Sequence, residues 1–229
     1  MIEIYAHRGL HRDVRENTLE AFSAAVQMGV DGVELDVRRT RDGVLVVNHD
    51  PEVEEVVISR AVRTALPAYV ATLEEALAVL DGVKVNVEIK NIQDSREPGY
   101  DSRGGFAGEV LALLRGLGWA DRVIISCFDE ATCARVRDLD ATIEVGWLLW
   151  GVDLSSALLR ARALGLNAVH PHFSTLSQGA MDQARELGLD VNVWTVNDPD
   201  QIIRVGALGV ASIITDDPEL VRTVLAGGV

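Results

Sequence analysis

A (β/α)8 barrel of the TIM type, an α/β fold, is what this sequence predicts, and three observations carry it. Eight β-rich stretches recur along the 229 residues, which is the strand number of the barrel. Runs such as RVIIS at 122–126 and SIIT at 212–215 are almost continuously apolar, as strands are when helices cover both faces of a parallel sheet. An apolar-Gly-apolar ending recurs at Gly29, Gly165, Gly188 and Gly209, where a left-handed glycine closes a helix before the next strand. The competing open, doubly wound sheet has fewer strands and a glycine-rich phosphate turn after the first. Here that turn, AHRGLHRDVREN, holds a single glycine.

Taken in order, IEIYA at 2–6 is the first strand, and Asn17 with Glu20 reads as the capping box of the first helix. GVELDV at 32–37 is the second strand. Residues 41–71 follow it where a simple barrel needs only a short loop; Asp42-Gly43 marks a turn and VLVVNHD a short strand, so this is a hairpin-like insertion over the barrel mouth. Thr72 with Glu75 opens the next helix as a second capping box. KVNVEI at 84–89 is strand three, and 93–105, rich in Gly, Ser, Asp and Arg, is a long mobile loop. Phe106, Val110, Leu113, Leu114 and Leu117 form the apolar stripe of the following helix. Strands four and five are RVIIS and TIEVGWLL; Leu154, Ala157, Leu158 and Leu164 mark the helix after them. NAVHP, VNVWTV and ASIIT complete the eight, with Asp198-Pro199 and Asp217-Pro218 placing proline at the first position of a helix. The whole chain, 1–229, is expected to form one domain.

Composition narrows the function. A net charge of −14 opposes binding to nucleic acid or to an anionic membrane, both of which need clustered Lys and Arg. No apolar run reaches the roughly 18 residues of a membrane helix, and no secretion signal precedes IEIYAHRG, so a cytoplasmic protein without stable membrane association is expected. Cys127 and Cys133 give no disulfide framework and fit reduced thiols.

The chemistry gathers at strand ends. Glu34 and Asp36 stand at i and i+2 and share a face; Glu88 ends strand three, followed by Lys90, and His7 ends strand one. In a (β/α)8 barrel the active site lies at the C-terminal ends of the strands. Three buried acids side by side need neutralising, by salt bridges to Arg38, Lys84 or Lys90, or by a hard divalent cation such as Mg²⁺ or Ca²⁺; their joint placement favours the cation. His7 in AHRG and His49 in NHD can carry protons near neutral pH, with Asp50 beside His49 to orient it and Arg8 beside His7 to grip a phosphate. The acidic run Glu52, Glu54 and Glu55 reads as a solvated loop face, with attraction for a cationic alcohol such as choline as the alternative. His170-Pro171-His172 is discounted as a second metal pair, and Trp147 and Trp150 read as packing near strand five, with contact between one of them and substrate as the alternative.

Taken together, AHRG at 6–9, ENT at 16–18 followed by LEAF, ELDV at 34–37, NHD at 48–50, EIK at 88–90 and WTVN at 194–197 resemble the glycerophosphodiester phosphodiesterase family. The resemblance implies a metal-dependent barrel enzyme that hydrolyses small glycerophosphodiesters to glycerol 3-phosphate and an alcohol. It implies His7 and His49 as the acid/base pair, Glu34, Asp36 and Glu88 as ligands of Mg²⁺ or Ca²⁺, Arg8 and Lys90 as phosphate holders, Trp194 as pocket wall and Glu16 as support for the first loop. Related barrel phospholipases of the C or sphingomyelinase D type, and a non-catalytic barrel module, are the competing readings. The first lacks the exposed apolar and basic loops expected of it here; the second predicts loss of site residues that are all present.

Overall fold

The computed structural model describes residues 1–94 and 98–227. Eight parallel strands close into the expected barrel: β1 (Glu3–His7), β2 (Gly32–Arg39), β6 (Lys84–Ile89), β7 (Val123–Cys127), β8 (Glu144–Leu149), β9 (Ala168–Pro171), β10 (Asp190–Val193) and β11 (Ser212–Thr215). Each pairs with the next, and β1 pairs with both β2 and β11, which leaves no open edge in the barrel. The register sets Glu34 beside Asn86 and Asp36 beside Glu88, so the acids of β2 and β6 lie level with one another.

Eight α-helices among the described residues surround the strands: α1 (Leu19–Met28), α2 (Leu73–Val79), α3 (Gly105–Gly116), α4 (Glu130–Leu139), α5 (Leu154–Ala163), α6 (Gln178–Leu187), α7 (Pro199–Leu208) and α8 (Pro218–Leu225). Their inner faces and the outward faces of the strands make one apolar layer, including Phe22, Leu35, Leu77, Ile89, Leu114, Ile125 and Leu158, all fully buried. Burying a side chain of this size contributes about 1.5–3 kcal/mol relative to leaving it in water. Gly29, Gly188 and Gly209 end their helices in the left-handed conformation, and Gly165 takes it one residue past the α5 cap. Gly32 is required for a different reason: a Cβ there would stand 2.3 Å from the Tyr5 ring.

The start of α1 departs from expectation. Thr18, not Asn17, is the N-cap, its hydroxyl accepting from Ala21 N. Asn17 instead has φ +56° and turns its side chain to Asp36. The capping box at Thr72 and Glu75, and the Asp-Pro starts of α7 and α8, form as predicted.

The insertion after β2 begins with β3 (Leu45–Val47), antiparallel to β2. It continues through a small hairpin of β4 (Glu52–Val53) and β5 (Val56–Val57) and two short 3-10 turns. It has its own apolar cluster, Val46, Val53, Ile58, Leu66 and Val70. This is why it stays folded over the mouth while carrying many polar residues. The loop predicted over 93–105 includes residues 95–97, which lie outside those described. Its later part is tied down, since the Asn91 side chain bonds both backbone groups of Asp101.

Candidate functional site

The strands deliver their terminal side chains to one pocket at the C-terminal mouth, with an empty volume of about 490 Å³. His7, Arg8, Glu34, His49, Asn86, Glu88, Lys90 and Trp194 line it, together with Phe128, Leu148, Thr195 and Ile214. All the sequence-predicted site residues therefore meet here except Asp36, which is 1% exposed and lies behind the wall.

The acids converge. Glu34, Asp36 and Glu88 each offer an oxygen, and the three oxygens lie within 4.8 Å of one another. This is the one such group among the described residues. His170 and His172 are not part of it. Of the predicted salt-bridge partners, Lys90 reaches this cluster, its Nζ lying 2.8 Å from Glu88 Oε1 and 3.4 Å from Asp36 Oδ1. Lys84 is elsewhere, paired with Glu3, and Arg38 donates to the His49 carbonyl. Arg8 Nε stands 3.3 Å from Asp36 Oδ2, while its other end is gripped by both oxygens of Glu16.

Electrostatics separate the two acids of β2. Burial pushes the Glu34 carboxyl upward, and the neighbouring Asp36 adds to this. Asp36 is equally buried, yet Lys90 and Arg8 hold its carboxyl well below the usual range. Burial disfavours the Lys90 ammonium, but Glu88 and Asp36 outweigh it and keep the charge. Asn17 completes the Asp36 environment, its Nδ2 donating to Oδ2 at 2.8 Å and its Oδ1 accepting from Asp36 N.

Each imidazole is anchored through Nδ1. His7 Nδ1 lies 2.7 Å from Asp216 Oδ1, and its Nε2 stands 4.0 Å from Glu34 Oε2. Burial disfavours the charged ring, but the Asp216 hydrogen bond and Glu34 outweigh it and raise the pKa above the ordinary histidine value. His49 Nδ1 lies 2.8 Å from Asp50 Oδ1, the orientation expected from the NHD motif. In both, the anchored Nδ1 leaves Nε2 as the nitrogen available to the pocket.

Asp216 is the functional neighbour that sequence reasoning missed. It follows β11 at a barrel strand end, the same positional signal that marked the other candidates, but only the next pair, Asp217-Pro218, was read, as a helix start. Asn197 holds Asp216 in turn, donating from Nδ2 at 2.6 Å and accepting from its backbone N–H. Asn86 was also missed; it stands two residues before Glu88 on the same face, and its Oδ1 is buried without a hydrogen-bond partner. The reading of the tryptophans holds for one of them. Trp147 is buried with Nε1 donating to the Phe128 carbonyl, whereas Trp150 is 63% exposed at the rim.

The oxygen donors suit a hard divalent cation. Three carboxylates meet within reach of one ion, with the unpartnered Asn86 Oδ1 in the same pocket, and no thiolate or imidazole stands in the cluster to favour a softer metal.

A closed parallel barrel with acids, cations and paired imidazoles at its C-terminal mouth has the anatomy of a barrel hydrolase. The family model described as the glycerophosphoryl diester phosphodiesterase family matches residues 7–220. The chain belongs to that family and is a phosphoric diester hydrolase. A glycerophosphodiester phosphodiesterase of Caldanaerobacter subterraneus subsp. tengcongensis is 29% identical over 252 aligned positions, covering 98% of each chain. The crystal structure of a glycerophosphodiester phosphodiesterase from Parabacteroides distasonis superposes with a TM-score of 0.86 at 25% identity, covering 99% of this chain and 97% of that one. An Oleispira antarctica phosphodiesterase, solved with its product sn-glycerol-3-phosphate, shares the fold at a TM-score of 0.84 and 22% identity, over 98% and 96% of the two chains. No helix among the described residues is long and apolar enough to cross a membrane.

Proposed function

We propose that this protein hydrolyses glycerophosphodiesters to glycerol 3-phosphate and an alcohol, using His7 and His49 as acid and base beside a divalent ion held by Glu34, Asp36 and Glu88. The observation that carries this reading is the convergence of three carboxylate oxygens within 4.8 Å of one another in a pocket lined by both imidazoles. Mg²⁺ or Ca²⁺ fits the all-oxygen set. When bound, such an ion polarises phosphoryl oxygens and lowers the pKa of a hydroxyl at its side.

The chain's own residues supply the rest. Arg8, fixed by Glu16, and Lys90 present cationic donors at the pocket, where they hold phosphate oxygens and stabilise charge that builds on them. One imidazole accepts the nucleophile's proton at Nε2 and the other donates a proton from Nε2 to the departing alkoxide. Asp216 and Asp50 keep each ring in the tautomer and orientation this exchange requires. Phe128, Leu148 and Trp194 form the dry side of the pocket and strengthen every charge interaction across it. The acidic run of the insertion is absent from the lining, so of the whole insertion His49 alone enters the pocket.

The test is a panel of glycerophosphodiesters assayed after chelation and after return of Mg²⁺, Ca²⁺ or Mn²⁺. Activity lost with the chelator and restored by one cation is the expected result. Unchanged turnover after complete chelation removes the metal from the mechanism, and no turnover of any diester with any cation rejects the function. His49→Ala is expected to abolish turnover while calorimetric binding of the cation persists.

A further inference from the structure

The side of the mouth opposite the acids is a continuous aromatic wall. Phe128, Trp150, His172 and Trp194 follow β7, β8, β9 and β10 in turn. The Phe128 and Trp194 rings meet edge to face at 5.5 Å, Trp194 and His172 likewise at 5.5 Å, and Trp150 lies 4.7 Å from His172 and 5.8 Å from Trp194. Trp194 is fixed by its Nε1, which donates to the His170 carbonyl at 2.7 Å. Phe128 and Trp194 belong to the pocket itself, and Trp150 extends their wall outward with 63% of its surface free.

Charge is distributed to match. The charged side chains lining the pocket, Arg8, Glu34, Glu88 and Lys90, all come from the β1, β2 and β6 side. Burial lowers the His172 pKa and so disfavours a positive charge on its ring. The insertion's acids do not reach the pocket; Glu54 instead accepts from the Tyr69 hydroxyl at the tip of the β4–β5 hairpin. A diester whose phosphate sits at the charged side must lay one organic arm along the rings.

We infer that this wall is the subsite for the alcohol arm and that it selects a quaternary ammonium alcohol, choline being the simplest, through contact with Trp194 and Trp150. The inference rests on the phosphodiesterase reading above. A quaternary ammonium group has no N–H to leave unpaired in a dry site, and indole faces attract its charge, the more strongly the less water surrounds it. A polyol arm laid on the same rings loses water hydrogen bonds and finds few partners, so it is disfavoured.

The experiment compares kcat/KM for glycerophosphocholine, its neutral carbon isostere carrying a 3,3-dimethylbutyl group, and glycerophosphoglycerol, on enzyme supplied with the cation that supports activity. The choline diester is expected to exceed the isostere about tenfold, the factor that cation–π attraction supplies at a partly desolvated site. Trp150→Ala and Trp150→Leu are each expected to cut that ratio about threefold or more, through KM, because leucine keeps apolar surface but no π face. Glu54→Gln is expected to leave the ratio as it is. An isostere as good as the choline diester overturns the cation selection, and a ratio that moves with Glu54→Gln but not with Trp150 overturns the subsite. Turnover without preference rejects this inference alone, whereas no turnover of any diester rejects the functional reading beneath it. Trp150 is a rim residue, so circular dichroism of both variants is expected to match the parent and keeps every outcome interpretable.

Discussion

The two halves of the barrel mouth are built from the same βα units yet differ in kind. The β1, β2 and β6 ends carry Arg8, Glu34, Asp36, Glu88 and Lys90; ion pairs join Asp36 to Arg8 and Lys90, and Lys90 to Glu88, while Glu34 accepts from the Arg8 backbone N–H. The β7 to β10 ends carry Phe128, Trp150, His172 and Trp194, in contact edge to face or tilted. The charged half meets the cost of burial by mutual neutralisation, and the aromatic half supplies the low polarity that makes those charges interact strongly. On the proposed mechanism and subsite, chemistry and selectivity fall to opposite sides of one pocket.

The sharpest way to break this division is to neutralise the charged half. Glu88→Gln is expected to lower kcat/KM by about 10²- to 10³-fold, the usual scale for losing one preorganised electrostatic group, whereas Phe128→Leu is expected to act mainly on KM and by less than about tenfold. Steady-state kinetics on the two variants decide it; equal losses end the division of labour.

Next in size is the stability of the charged half itself. The Lys90 side chain is 5% exposed and faces two acids, so Lys90→Met leaves Glu88 without its cation and Asp36 with Arg8 alone, a change that costs about 3–5 kcal/mol. Thermal unfolding should show the loss in chelated enzyme and its partial recovery on adding the cation that supports activity. A variant as stable as the parent without any cation contradicts the view that Lys90 neutralises the cluster.

Two neighbours at the start of α1 sharpen the comparison further. Asn17→Ala deletes a buried hydrogen bond to Asp36, at about 1–3 kcal/mol, and should also lower activity. Thr18→Ala deletes the helix cap, at about 1 kcal/mol, and should leave kcat within twofold. Reversed activities would restore Asn17 to a capping role.

A last effect, with no change in turnover, lies away from both halves. Asp140 binds Thr142 and Arg115 with a side chain 7% exposed, and the Thr142 hydroxyl, the Thr142 backbone N–H and Arg115 hold its carboxyl below the usual range. A carboxyl depressed in the folded state stabilises above the unfolded pKa, about 3.9, and that contribution fades as pH falls below it. Asp140→Asn should therefore cost about 1–2 kcal/mol near pH 7, and the gap to the parent should narrow below about pH 4. Urea unfolding at the two pH values reads it, with turnover unchanged.

Much of the barrel was legible because its signals are local. Helix-closing glycines, Asp-Pro starts and continuous apolar strands report backbone geometry and two-sided burial within a few residues. The acids and histidines were legible because strand periodicity and the strand-end rule place them at one mouth. Asp216, 209 positions from His7, was not, since its partner is set by closure of β11 on β1. Asn17 was misread for the same reason: a cap and a long-range clamp look alike in sequence, and only the presence of Asp36 within 2.8 Å decides between them.

The sequence by itself determined the number of βα units, their order and the identity of the charged groups, because periodicity and capping act over a turn or a strand. Tertiary structure alone decided that Asp216 anchors His7, that Lys90 and Arg8 share Asp36, and that four separate loops present one aromatic wall. Those relations depend on barrel closure, which brings distant strand ends to a common rim.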